Sequence, residues 1–376
     1  MKICLFNRYD PNKILGGIET YLLYLARYLT EWGHEVTISY PRHSMDRFLV
    51  PIRRGMRLFK VDIKEMSDSF QLASEVARID ADIYHGQGQH PFGFSVLRRI
   101  GVGPKEPFLS TAHGTMWGTT KRIKSWCVHD KIIALNMERI VFNNSDEVIC
   151  VSNCVKRELM EGYRTGSDNL TVIHNGVDPE MYPSKKLGRQ TLDHDNDSFV
   201  ITFFLRGGIR KGVDVAAKIL RQLNSKLLAS DSDVVIQAIA DGRSANWLSP
   251  LTHNRSLKLY QNPEESMLRN LLSASDVFIF PTPHEGHSFL LLQAMAARNV
   301  VVASNIEPNK ETIEHGVSGY VLDRTDIDAW TMCVIDLYEN RKSLREIQEN
   351  AVRRVRKEFH SETMCKKTLA VYESLL

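Results

Sequence analysis

Short apolar runs rich in β-branched residues alternate along this chain with longer stretches of helical spacing. In the first half the runs fall at 2–6, 36–40, 82–85, 108–111, 148–151 and 171–173. In the second half they fall at 199–204, 234–239, 257–260, 277–280, 300–304 and 320–322. Continuous apolar runs of this length predict strands buried on both faces, as in parallel sheets. The clearest helical stretch is 18–32, where Ile18, Leu22, Leu25, Leu29 and Trp32 share one face. Another helix is predicted from Ser288, whose hydroxyl suits an N-cap. Strand and helix alternating twice over predict an α/β fold of two Rossmann-like doubly wound domains facing across a cleft. The turn cluster Asn175-Gly176-Val177-Asp178-Pro179 divides them into an N-terminal domain, 1–177, and a C-terminal domain, 178–360. The polar stretch 184–198 has no periodic apolar face and reads as the loop between them.

Composition narrows the class. A length of 376 residues suits two domains, and 43% apolar with 25% charged residues is ordinary for a soluble protein. No apolar run approaches the ~18 residues that span a bilayer, and the N-terminus is too short in apolar residues for a signal-peptide core. The expected location is therefore cytoplasmic. Basic and acidic residues number 48 and 45, a net charge of +3, which argues against a dedicated nucleic-acid binder. Six scattered cysteines read as reduced thiols, and Cys150 and Cys154 lack the second ligand pair of a zinc site. One stretch departs from the even charge. Residues 42–60 carry Arg42, Arg47, Arg53, Arg54, Arg57 and Lys60 among Phe48, Leu49, Ile52 and Leu58. Such a basic amphipathic surface suits anionic lipid at the inner membrane face, and it equally suits a solvated face whose apolar members enter the core. Lys121, Arg122, Lys124 and Trp126 would extend it.

Candidate chemistry lies where strands end. Gly16 and Gly17 open the helix at 18–32, where free N–H groups and close backbone approach suit a phosphate or sugar hydroxyl. Arg206 and Lys211 follow the strand at 199–204 in a loop with three glycines, and two cations there can clamp a diphosphate. The segment from Pro281 to Ala297 ends a buried strand and enters a helix. It leaves Glu285 in the loop, with His287 and Ser288 beside it and the amides of Phe289 and Leu290 aimed at an anion. Gln293 lies farther along that helix. His113 and His85 each follow or end a strand, a position equally suited to donating to a substrate oxygen and to a packed core. No phosphate-binding lysine loop is present, and neither Gly86-Gln87-Gly88 nor Gly101-Val102-Gly103 completes a dinucleotide fingerprint. Three acidic clusters, at Asp80-Asp82, Asp193-Asp197 and Asp231-Asp233, all lie away from the carboxyl ends of strands. No metal site is expected.

Taken in order, these segments resemble the retaining glycosyltransferases of the GT-B fold, family 4 or group 1. Gly16-Gly17-Ile18-Glu19 resembles the family's GGxE. Val172-Ile173-His174-Asn175-Gly176-Val177-Asp178 resembles its VIPNGVD. Ser275-Asp276-Val277-Phe278-Ile279-Phe280-Pro281 with Glu285-Gly286 resembles its ADVFVxPSxxEG, and Glu311 and Gly319 match later marks. The resemblance implies a nucleotide-diphosphate-sugar donor, UDP or GDP, with no cofactor and no metal, in a hexosyltransferase of cell-envelope or polysaccharide biosynthesis. It implies a glycan, lipid-linked or small-molecule hydroxyl acceptor. It assigns Arg206 and Lys211 to the leaving diphosphate, aided by the amides of Phe289 and Leu290. Glu285 falls to the donor sugar's hydroxyls, His113 to the sugar, and Gly16 to the diphosphate or acceptor. The last helix, 361–376, is expected to pack back on the first domain. Four places depart from the pattern, the first being Leu205 in place of a common glycine before Arg206. Gln293 stands where the family has a second Glu for the ribose, His287-Ser288 replaces Phe-Gly, and Arg298-Asn299 replaces the helix end, with Asn299 expected to take the left-handed cap. The alternative reading is a non-catalytic sugar-nucleotide or glycan-binding relative.

Overall fold

The computed structural model describes residues 1–13, 16–41, 60–123, 128–227, 233–245, 247 and 257–376, with the backbone only at 60–64, 128–130, 243 and 245. The basic stretch 42–59, and Lys124 and Trp126, lie outside the described residues. The chain folds as two units, Met1–Asn175 with Ser361–Leu376, and Gly176–His360.

The first unit has strands β1 (Lys2–Phe6), β2 (Glu35–Ser39), β3 (Ile83–Gln87), β4 (Phe108–Ala112), β5 (Glu147–Cys150) and β6 (Leu170–Val172). Its helices are α1 (Gly17–Glu31), α2 (Lys60–Val76), α3 (Phe92–Arg99), α4 (Met116–Arg122), α5 (Val128–Asn144) and α6 (Asn153–Tyr163). The second unit has α7 (Lys185–Thr191), β7 (Phe199–Phe204), α8 (Val213–Lys226), β8 (Val234–Ala240), α9 (Gly242–Ala245), β9 (Leu257–Gln261), α10 (Glu265–Ala274) and β10 (Val277–Phe280). It continues through α11 (Phe289–Ala296), β11 (Val300–Ser304), α12 (Glu307–Thr312), β12 (Tyr320–Leu322), α13 (Ile327–Glu339) and α14 (Leu344–Glu358). The last helix, α15 (Ser361–Leu375), belongs to the first unit.

Each apolar run of the sequence became a strand; inner strands such as β4 and β11 are buried at every residue, whereas the edge strands β2, β9 and β12 are only partly buried. Both sheets are wholly parallel, in the orders β2-β1-β3-β4-β5-β6 and β12-β11-β10-β7-β8-β9. The chain therefore reverses direction across the first sheet between β1 and β3, and across the second between β7 and β10. Ligands of doubly wound sheets bind beyond the carboxyl ends of strands at such a reversal. The loops there carry Gly16 and His90 in the first unit, and Arg206, Lys211 and Glu285 in the second.

Two local readings are corrected. Residues 184–198 are not a bare linker. Ser184 caps α7 through the amide of Leu187, and Arg189 is buried against Asp276 at 2.7 Å. Polar periodicity hid the helix because its inward anchor is an ion-paired arginine. At the end of α11, Arg298 takes the left-handed conformation (φ 64°). Asn299 is instead buried, and its amide donates to the carbonyls of Leu272, Ala294 and Ala297.

Candidate active site

In the second unit the loop after β7 turns sharply. Gly207, Gly208 and Gly212 all have positive φ, and a Cβ on Gly212 would run into the carbonyl of Pro281. That contact packs the β7 loop against the β10 loop. Lys211 bridges them chemically, its Nζ 2.5 Å from Glu285 Oε1. Thr282 Oγ1 lies 3.1 Å from the same carboxylate oxygen, so Glu285 is held from two directions. Arg324 braces the assembly from behind. It forks onto both oxygens of Asp214 at 2.7 Å and donates to the carbonyl of Pro281 at 3.2 Å. Sequence reading missed Thr282 and Arg324. Thr282 sits inside a recognised motif between two prolines, whereas nothing local marks Arg324, whose partner Asp214 is 110 residues away.

Arg206 is exposed and makes no ion pair among the described residues. It is a cation left open to an anionic ligand. Ser288 caps α11 through the amide of Leu291 at 3.3 Å. The first-turn amides of Phe289 and Leu290 have no acceptor within the helix, as in any first turn. Gln293 is half-buried, and its side chain makes no hydrogen bond among the described residues. His287 behaves differently from the expectation that it adds a polar group beside the sugar. It is buried, with Nε2 3.1 Å from Thr312 Oγ1 and its ring against Phe359. Its side chain serves the interior of the unit.

In the first unit Gly16 is the N-cap of α1, and Gly17 is the first helical residue. Glu19 is buried, turns back toward Gly16, and accepts from Asn7 Nδ2 at 3.1 Å. Burial raises the pKa of this carboxyl, and those hydrogen bonds pull against the rise. The glycine at 16 leaves room for the carboxylate, so the GGxE segment is at least in part a helix-capping device. Asn7 continues to His90 Nδ1 at 2.6 Å, and Arg8 pairs with Glu65 and Asp68 at 3.1 Å.

His113 follows β4. Its Nε2 lies 2.7 Å from Gln87 Oε1, and its ring stands edge-on to Tyr21 at 5.0 Å. Burial, with His90 nearby, lowers its pKa to about 3, so the ring is neutral at physiological pH. With the Gln87 amide oxygen turned to the ring, Nε2 carries the proton and Nδ1 keeps a lone pair. In that tautomer the ring accepts from a hydroxyl at Nδ1 and donates at Nε2. His85 is a core histidine. It is fully buried between Tyr372 Oη at 2.6 Å and Thr111 Oγ1 at 2.7 Å, and burial lowers its pKa to about 3.

One group among the described residues has metal-ligand chemistry, Asp178, Glu180 and His360. Glu180 is already paired with Arg356 at 3.1 Å, so the patch carries its own cation. Asp80 and Asp82 hold Lys2, and Asp233 accepts from Tyr338 Oη and Arg341. No helix among the described residues is long and apolar enough to cross a membrane.

Comparison with known proteins agrees along the chain. The family model for Glycosyltransferase Family 4 matches residues 15–181, and that for Glycosyl transferases group 1 matches residues 184–354. The chain is 24% identical to an uncharacterised glycosyltransferase of Methanocaldococcus jannaschii, over 99% of this chain and 98% of that one. It is 26% identical to the UDP-Gal:alpha-D-GlcNAc-diphosphoundecaprenol alpha-1,3-galactosyltransferase of Escherichia coli, over 81% of this chain and 77% of that one. The structure of Anabaena HepE in complex with UDP-glucose superposes with a TM-score of 0.74 at 16% identity, covering 100% of both chains.

Proposed function

The chain belongs to the group 1 glycosyltransferases, with the GT-B fold, and on that premise we propose that it is a retaining, NDP-sugar-dependent hexosyltransferase. The observation that carries the reading is the pairing of Lys211 with Glu285 at the reversal point of the second sheet, beside the unpaired Arg206 and the start of α11.

Arg206 and Lys211 take the donor's diphosphate and offset the charge that grows on it as the glycosidic bond breaks. The amides of Phe289 and Leu290 add a helix N-terminus to the same anion. Glu285 accepts from hydroxyls of the donor sugar. Lys211, lying between carboxylate and phosphate, keeps both in register. Gln293 takes the ribose hydroxyls as a neutral amide, weaker than a carboxylate would be. His113 accepts a sugar hydroxyl at Nδ1. Gly16 and Gly17 bring the start of α1 near the diphosphate or the acceptor. Two cations and a helix start do electrostatically what a metal does elsewhere, which supports a metal-independent reaction.

UDP is favoured as the nucleotide by the relatives that use or bind it. A glycan or lipid-linked acceptor in envelope or polysaccharide synthesis is favoured by the diphosphoundecaprenol acceptor of the E. coli relative. With such an acceptor, residues 42–60 would rest on the inner membrane face. Flotation with anionic liposomes tests this, and a protein that stays soluble at low salt removes it.

The test of the reaction is incubation with UDP-sugars, following UDP release and the anomeric configuration of the product by proton NMR. Turnover with the donor's configuration kept is expected, and Glu285→Ala abolishes transfer with UDP binding nearly unchanged. An inverted product refutes retention, and full turnover by the variant refutes the site.

A further inference from the structure

His113 ends on a segment that the fold grips unusually hard. Directly after it come Gly114 and then α4, a helix of only two turns. A short helix has three free amides at its start, which in a doubly wound sheet are often left for a ligand. Here all three are taken by the protein's own side chains. The amide of Met116 donates to Glu138 Oε2 at 2.8 Å. The amide of Trp117 donates to Tyr163 Oη at 3.1 Å, and that of Gly118 to Thr115 Oγ1 at 2.9 Å.

These acceptors are themselves tied together. Tyr163 Oη donates to Glu138 Oε2. Thr115 Oγ1 donates to Glu158 Oε2 at 2.6 Å, and Arg122, at the far end of α4, donates to Glu158 Oε1 at 2.8 Å. Glu158 therefore holds α4 at both ends. Thr115, Glu138, Glu158 and Tyr163 are all buried. The packing is tight as well as polar. A methyl group on Gly118 would run into the Glu158 carboxylate, and one on Gly162 would run into the Trp117 ring. Burying two carboxylates is costly and needs compensation by full hydrogen bonding. Plain packing of α4 on α5 and α6 needs neither.

We propose that Thr115–Glu158 and Tyr163–Glu138 form a clamp that positions His113, fixing its ring on Gln87 so that Nδ1 presents its lone pair in one direction. The four are positioning residues, and the proposal rests on the reading of His113 as a sugar contact. A two-turn helix cannot hold its own start, because its hydrogen bonds barely repay nucleation. The clamp makes the helix a rigid stop two residues beyond the histidine.

The test reads the His113 ring directly in the full-length protein labelled with ¹⁵N-histidine, its signals assigned with His113→Gln. In the wild type, one Nε2–H tautomer is expected, with no titration above pH 5. In Thr115→Val and Tyr163→Phe, a mixture of tautomers is expected, with the midpoint moving from about 3 toward the ordinary 6.5. Thr115→Ser restores the cap, and Glu138→Gln keeps an acceptor oxygen, so both should return the single tautomer. Circular dichroism and melting curves identify any variant that has lost its fold. A folded Thr115→Val and a folded Tyr163→Phe that each keep the wild-type tautomer and titration overturn the proposal. His113→Ala with undiminished transfer overturns only the role of His113, leaving the clamp to be judged by the ring signals.

Discussion

At the scale of single residues, charge placement explains more than composition. Lys211 and Glu285 are 74 residues apart in sequence, yet they form a 2.5 Å pair that links two strand-end loops. Removing one partner leaves the other half-buried without its counter-charge, so Lys211→Met should weaken nucleotide binding at least tenfold and slow transfer further. Isothermal titration and initial rates check this, and equal loss in both would mean that Lys211 acts in binding alone. Glu138 makes a pH prediction. Burial raises its pKa to about 7 from 4.5, with Glu158 and Glu65 adding to the rise. The folded state therefore holds a proton that the unfolded state has released. This stabilisation is fully present below pH 4.5 and is lost as pH climbs through 7, on the order of 3 kcal/mol in all. Glu138→Gln removes the titration, so its melting temperature relative to wild type should rise between pH 5 and pH 8. A constant difference across that range would show that the carboxyl is not perturbed.

At the scale of elements, two glycines in one loop predict different outcomes. Gly212 has φ 78° and its Cβ position meets the Pro281 carbonyl, whereas Gly208 has φ 63° and open space around it. Gly208→Ala should cost only the local strain, about 1 kcal/mol. Gly212→Ala should also part the β7 and β10 loops and lower nucleotide affinity. Similar affinities in the two variants would contradict the packing account. Helix α15 is fixed to the first unit by Tyr372 on His85, Thr368 near Tyr21 and Ser361 near Tyr28. Tyr372→Phe strips a buried imidazole of one of its two partners and should destabilise the unit by about 1–3 kcal/mol in denaturant unfolding. These elements were unequally legible. The twelve apolar runs and the Ser288 cap could be read directly, because an apolar run and a capping hydroxyl are both local marks. Helix α7 could not, since its buried face is an arginine matched by Asp276 far along the chain. The same limit applies to the site. Glu285, Arg206 and Lys211 were marked by loops and glycines, but Arg324 and the Glu138–Tyr163 pair become visible only when distant elements meet. His287 misled because a histidine in a polar loop looks exposed until Thr312 and Phe359 close over it.

At the scale of the whole molecule, each unit is a complete parallel sheet with its own core and its own reversal point. The nucleotide chemistry proposed above belongs to one of them, Gly176–His360. Binding there stabilises by linkage, about 2.7 kcal/mol at a ligand concentration a hundred times Kd. The most direct measurement is a thermal-shift series of the wild type and Arg206→Ala/Lys211→Ala against UDP, GDP, ADP, TDP and CDP, with and without EDTA. One nucleotide should raise the wild-type melting temperature, EDTA should leave that rise unchanged, and the double variant should lose it. A wild type that no nucleotide stabilises, or a double variant that shifts as far as the wild type, would contradict a diphosphate held by Arg206 and Lys211.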